Sequence, residues 1–166
     1  MASVSPAAPY RHFKGREELI AEVALQGFEM FADLLEHAMS TSGPSALASF
    51  EVMGRAYLAF ARKQPGHYIA MFESGVSFVG NPDLARASDR AMGVLTGAAE
   101  QLASHIPPED RPPAAMVSHH IWALSHGVVE LFARTAPGSR APFSPEELLE
   151  TGTGIYLRGL GLIPKD

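Results

Sequence analysis

Breaks fall along this chain at intervals that leave room for helices and little else. Pro, Gly, Asn and Ser cluster at Gly43-Pro44, Pro65-Gly66, Gly80-Asn81-Pro82, Pro107-Pro108, Pro112-Pro113 and across residues 137–145. Proline fixes φ and lacks a backbone donor, and glycine tolerates conformations that helices do not, so these clusters mark element ends. Between them the apolar residues recur every three or four positions, the period of an amphipathic helix. From residue 16 to about 38 the stripe is Ile20, Val23, Ala24, Gly27, Phe31, Leu34, Leu35 and Ala38. From 45 to 63 it is Leu47, Phe50, Met53 or Gly54, Tyr57, Phe60 and Ala61. Arg62 and Lys63 end that segment where cations suit the helix dipole, and Pro65 stops it. Asn81 followed by Pro82 reads as an N-cap with proline at the first helical position. Ser144-Pro145-Glu146-Glu147 reads as a capping box that opens the last helix. No segment alternates with period two between hairpin turns, so no sheet is expected. The fold class predicted is all-α, a helical bundle of about seven helices.

Composition narrows the class further. With 166 residues, 46% hydrophobic and 19% charged, the chain suits one domain with a substantial core. No apolar run approaches the ~18 residues of a membrane span, and no secretory signal is expected in the first residues. The absence of cysteine removes disulfides, thiolate metal sites and thiol catalysis, and fits a cytoplasmic protein. A net charge of −5 is the wrong sign for binding nucleic acid over the whole surface. Any DNA contact must come from a local basic patch.

One such patch lies near the start, where residues 3–19 read SVSPAAPYRHFKGREEL. Ser5 can cap a short helix that has Pro6 at its first position and ends in Tyr10, Arg11 and His12. Lys14-Gly15 breaks the chain before a much longer helix. A short capped helix ending in a Tyr-x-His-Phe cluster resembles the recognition helix of tetracycline-repressor-type transcriptional regulators. The resemblance rests on Val4, Ser5, Tyr10, His12, Phe13 and Leu19. It implies that Ser5, Pro6, Tyr10, Arg11, His12 and Lys14 are the DNA-contacting residues, with the helix in a major groove. Ser3 stands where the family usually has glycine. The family's first two helices would precede this point, so the expectation is a chain that begins partway through the DNA-binding motif. Operator DNA is then a partner only when those helices are restored.

Residues 121–133 read IWALSHGVVELFA, and residues 65–72 read PGHYIAMF. Both resemble the branch of the same family whose C-terminal domain carries a Trp-His-Gly motif, here Trp122, His126 and Gly127. At about 100° per residue, Val117, His120, Ile121, Leu124, Val128, Leu131 and Phe132 form one face of this helix. Trp122, His126, Val129 and Ala133 lie roughly opposite. A helix apolar on two sides must be buried on two sides, so the second face calls for a partner. In the last helix Leu148, Gly152, Ile155, Gly159 and Leu162 share a face. Glycine inside a helix costs about 1 kcal/mol relative to alanine, so its repetition suggests close helix approach. The resemblance implies a homodimer built by the last two long helices. Trp122, His126, Val129, Ala133, Gly152, Ile155 and Gly159 are the predicted interface. Trp122 and His126 could serve a pocket instead, though the wheel favours the interface.

Enzymatic and metal readings find little support. Gly75 to Gly80 misses the G-x-S-x-G spacing by one residue, and Gly152 to Gly159 lacks the strand of a dinucleotide fingerprint. His119 and His120 point about 100° apart on a helix, and no pair spaced to share a metal appears. No convergent acid, base or nucleophile set suggests catalysis, and no cofactor is expected. Seven methionines and nine phenylalanines, with a few polar handles, suit an adaptable apolar interior. The resemblance implies an effector cavity between the long helices, and Phe31, Met53, Tyr57, Tyr68, Met71, Phe72 and His120 are the predicted ligand contacts. The expected organisation is a helix-turn-helix remnant over residues 1–15 and an effector-binding and dimerisation domain over residues 16–166. The expected function is a repressor that releases DNA when a small apolar or aromatic effector binds. The alternative is a dimeric helical protein that binds a small molecule without touching DNA.

Overall fold

The computed structural model describes residues 15–42, 45–133 and 142–164. Ser5, Pro6, Tyr10, Arg11, His12 and Lys14, the predicted DNA contacts, lie outside the described residues. Six α-helices follow in order: α1 Arg16–Thr41, α2 Ala46–Lys63, α3 Pro65–Phe72, α4 Pro82–Leu102, α5 Ala114–Ala133 and α6 Pro145–Gly159. Short 3-10 turns at Ala103–His105 and Pro108–Asp110 carry the chain from α4 to α5. No strand occurs among the described residues. The all-α bundle follows from the punctuation described above.

Local chemistry sets the helix ends. Ser45 caps α2 by accepting the Ala48 amide at 3.3 Å, and Pro65 opens α3 after a single residue's break at Gln64. Ser144 and Glu147 form the expected capping box: the Ser144 hydroxyl accepts from the Glu147 amide at 3.1 Å, and the Ser144 amide donates to the Glu147 carboxylate at 2.7 Å. Those bonds hold the Glu147 carboxyl below its usual range. Asn81 behaves differently from the N-cap expected of it. Its side-chain amide donates back to the Ser77 carbonyl at 2.9 Å, closing the α3–α4 loop, and α4 starts without a side-chain cap. In that loop Gly75 and Gly80 have φ of 71° and 81°, which L side chains rarely adopt.

The long α1 lies against α2, α3 and α4, while α5 packs between α4 and α6 and also meets α2. One continuous core joins them, with Phe28, Phe31 and Leu35 of α1, Met53 and Tyr57 of α2, and Leu84, Ala91 and Leu95 of α4. At the surface, Arg90 of α4 grips α1 through Asp33 at 2.6 Å and both oxygens of Glu36 at 2.6 and 2.8 Å. Arg62 at the end of α2 pairs with Glu146 at the start of α6 at 2.8 Å.

The faces of α5 differ from the wheel assignment. Val117, Ser118, Ile121, Ser125, Val128 and Val129 are buried, and Trp122 and His126 are half-buried against the rest of the chain. The exposed side carries Met116, His120, Ala123, Leu124 and Gly127. A second, partly apolar face exists, but it is this one. Val129, Trp122 and His126 point inward because the aromatic residues of α1, α2 and α3 cover their side of the helix. The side chain of Ala133 lies outside the described set.

Gly27 shows how tightly α1 and α3 meet. A Cβ built there would lie 2.6 Å from Met71 Sδ, 2.9 Å from Met71 Cγ and 3.2 Å from His67 Cβ. The last helix differs, since a Cβ on Gly159 would meet nothing within 4 Å and one on Gly152 would touch only Leu124 at 3.9 Å. Gly27→Val therefore forces Met71 out of a buried position and should cost about 1–3 kcal/mol in chemical denaturation.

Candidate ligand-binding site

Where α1, α2, α3 and α5 converge, six rings form one cluster. The periodicities of α1 and α2 bring Phe31 against Tyr57 with centroids 5.2 Å apart, edge to face. The short α3 adds Tyr68 and Phe72, 5.0 Å apart. From α5, Trp122 approaches Phe31, Tyr57 and Phe72 at 6.2, 6.4 and 5.8 Å. His126, one turn on, stacks on Tyr68 at 5.5 Å and meets the edge of Phe72 at 5.2 Å. These separations lie within the range favoured by aromatic pairs.

The polar atoms of the cluster satisfy one another. His126 Nδ1 lies 2.8 Å from the Tyr68 hydroxyl and 3.1 Å from that of Tyr57. Both hydroxyls thus converge on one ring nitrogen. Burial pushes the Tyr57 hydroxyl well above the ordinary phenol range, and the neighbouring Tyr68 adds to the effect. Burial likewise pushes Tyr68 up to about 12. Both phenols are therefore neutral donors at physiological pH.

A recess of about 300 Å³ opens on the outer side of this cluster, lined by Phe72 of α3, Met92 of α4 and His119, Trp122, Ala123 and His126 of α5. It is a shallow, broad-mouthed hollow at the lower end of the volume range of small-molecule sites. Of the predicted ligand contacts, only Phe72 lines it. Tyr57 and Tyr68 do not line it but stand behind its wall, against Phe72 and His126, with Tyr57 also against Trp122. Phe31, Met53 and Met71 are core residues, with Phe31 and Met53 each 1% exposed. The space expected beneath Tyr57 and Met71 is filled, since Met71 packs into the gap left by Gly27. His120 stands on the opposite side of α5, its Nδ1 2.8 Å from the Tyr156 hydroxyl of α6. Met92, His119 and Ala123 escaped the sequence reading. The signal was present for α5, because residues 119, 122, 123 and 126 are one helical stripe.

A second, larger hollow of about 360 Å³ runs between α2 and α6. Its apolar floor is Phe50, Leu58 and Leu149, and its rim mixes Glu51, Glu150, Arg55 and Arg158. Among the described residues, no group of three or more His, Asp or Glu is placed to hold a metal ion. No helix among them is long and apolar enough to cross a membrane.

Residues 50–154 match the family described as Tetracyclin repressor-like, C-terminal domain. The chain belongs to this family. The matched stretch runs from Phe50 of α2 to Gly154 of α6 and contains every residue that lines the recess. The tetracyclin repressor-like C-terminal domain is a regulatory, ligand-binding module without catalytic function, so the chain is not an enzyme. A solved structure described as a protein with unknown function from Rhodococcus sp. RHA1 has the same fold, with a TM-score of 0.73 at 22% identity. The alignment covers 92% of this chain and 78% of that one. No curated protein matches the chain.

The neutral, buried phenols carry a pH signature. Their folded pKa values lie above the unfolded value near 10, so their contribution is fully present below pH ~10 and is lost as pH rises towards the folded values. For Tyr68 that window runs from the unfolded value to about 12. In a spectrophotometric alkaline titration, Tyr57 and Tyr68 should ionise only as the protein unfolds. The double variant Tyr57→Phe, Tyr68→Phe should flatten the loss of stability over this window.

Proposed function

We propose that this chain is the small-molecule-binding and dimerising part of a regulator, with residues 16–166 as that unit and its ligand in the recess beside Phe72, Trp122 and His126. The observation that carries this reading is the recess itself, which opens on a ring cluster whose phenol hydroxyls are already bonded to His126. A wall of that kind receives an apolar or aromatic ligand without losing internal hydrogen bonds. Phe72 contacts the ligand directly in this reading. Tyr57 and Tyr68 act through His126, and Phe31, Met53 and Met71 support the wall from behind. Membership of the tetracyclin repressor-like family supports the choice of a regulatory ligand over a substrate.

The dimer reading draws on the outer face of α5 and α6. Met116 and Leu124 on α5 and Ile155 on α6 are exposed, Ile155 at 66%. Ala123, Gly127 and Gly159 lie exposed on the same two helices, and the two glycines have no atom of this chain within 4 Å of a built Cβ. Exposed apolar residues beside bare glycine backbone favour close approach of a second copy, as in a four-helix bundle. Gly152 and Ile155 belong to this seam, and His120 borders it. The repressor reading goes further: Ser5, Pro6, Tyr10, Arg11, His12 and Lys14 would meet operator DNA once two preceding helices brace them. It draws on the likeness of residues 3–19 to a recognition helix.

Two measurements test the proposal. In a thermal-shift screen of small aromatic compounds, saturating ligand at about a hundredfold its Kd stabilises by about 2.7 kcal/mol. Met92→Trp, which fills the recess from α4 and away from the dimer seam, should abolish the shift while the unliganded chain stays a folded dimer. A full shift in that variant would remove the recess as the site. In sedimentation at micromolar concentration the chain should be a dimer, and Met116→Glu with Ile155→Glu a folded monomer. A monomeric parent chain would end the dimer reading.

A further inference from the structure

The hollow between α2 and α6 shares no lining residue with the recess beside Phe72, and two buried hydroxyls lie on its wall. Ser125 of α5 is 3% exposed and Thr153 of α6 is 9% exposed. They differ in what each has left to bond. The Ser125 hydroxyl donates to the Ile121 carbonyl at 3.0 Å, one turn back on its own helix, and keeps its lone pairs. Thr41 and Thr96 likewise donate to the carbonyl four residues earlier. Thr153 does not, and it makes no hydrogen bond to any described residue. Its oxygen stays within reach of solvent, and the hollow is the open space that Thr153 lines. A side chain this deeply buried normally finds a partner for its donor.

The register of α5 against α6 brings the two hydroxyls to one level. His120 Nδ1 meets the Tyr156 hydroxyl at 2.8 Å, and Leu124 lies 3.9 Å from a Cβ built on Gly152. Numbers rise along one helix as they fall along the other, so the pair is antiparallel. Ser125 and Thr153 are then offset by only two residues, about 3 Å along the axes. Both are on the buried sides of their helices. Around them lie Phe50, Leu58, Ile121, Leu149 and Ile163, all buried.

The geometry points to a second small-molecule site in this hollow, for an uncharged, largely aliphatic molecule that carries one hydroxyl. The site stands independently of the recess. A ligand hydroxyl answers both side chains, because it accepts from Thr153 and donates to Ser125. An ammonium or carboxylate at that depth would lose its hydration among apolar side chains. A carboxylate would in addition meet Glu51, Glu146, Glu147 and Glu150, which outnumber Arg55 and Arg158 around the hollow.

Amide NMR titrations of the full chain with four probes of one shape test this. They are cyclohexylmethanol, methylcyclohexane, cyclohexylmethylamine and cyclohexanecarboxylate. Cyclohexylmethanol should shift the signals of Ser125, Thr153 and their neighbours, and bind more tightly than the amine or the acid. Thr153→Val keeps the shape and removes the hydroxyl. It should weaken cyclohexylmethanol about three- to tenfold and leave methylcyclohexane unchanged or tighter. Because the hydroxyl holds nothing within the chain, this variant should melt at or above the parent temperature. Leu47→Trp, which fills the hollow from the half-buried first turn of α2, should abolish the Thr153 shifts. Met92→Trp, which closes the recess, should leave them intact, so the two sites stand or fall separately. The assignment is overturned if Thr153→Val weakens alcohol and alkane alike or neither, or if it lowers the melting temperature. Tightest binding by the amine or the acid, shifts confined to Trp122 and His126, or no binding by any of the four would overturn it as well.

Discussion

The Tyr57 hydroxyl is the constraint around which the middle of this protein is built. The residue is 3% exposed, and a buried hydroxyl without a partner costs a few kcal/mol on the order of magnitude. Its partner is His126 Nδ1 of α5, a nitrogen shared with the Tyr68 hydroxyl of α3, so three helices meet at one bond. To satisfy one oxygen the fold must bring α3 and α5 together at a fixed rotation. That rotation turns Trp122 inward and sends Met116 and Leu124 outward. The recess then forms where the aromatic cluster ends and α4 has only Met92 to offer.

Much of this was legible in the chain. Helix lengths, the capping box at Ser144 and the buried stripes of α1 and α2 follow from spacing alone, because a helix's own period determines which residues share a face. The tetracyclin repressor-like family was legible too, and the match over residues 50–154 agrees with it. What periodicity does not supply is which of two apolar faces the chain covers with its own residues. For α5 that depends on the bulk of Phe31, Tyr57 and Phe72, which arrive from distant parts of the sequence. His120 and His126 therefore exchange surroundings relative to the wheel: one borders the outer face, the other sits among the rings.

The same limit explains the candidate pocket. Methionine and aromatic residues mark a soft interior, but a cavity is the volume those residues fail to fill. Met71 fills what Gly27 leaves open, so the space expected there does not exist. Gly27 is informative in retrospect because a glycine within an apolar stripe marks where a neighbour comes close. The Asn81 side chain makes a comparable point about helix ends, since the preceding loop captured the amide before the helix could use it.

The grip of Arg90 on Asp33 and Glu36 has a mechanical consequence. It fastens α1 to α4 near one end, while the first turns of α1, from Arg16 to Val23, are exposed or half-buried. Between that clamp and the tip, Ala24, Gly27, Phe28 and Phe31 are buried and Gly27 is pressed against Met71. The helix is therefore held along its length, and a displacement of its first turns is passed on to α3 and α4 together.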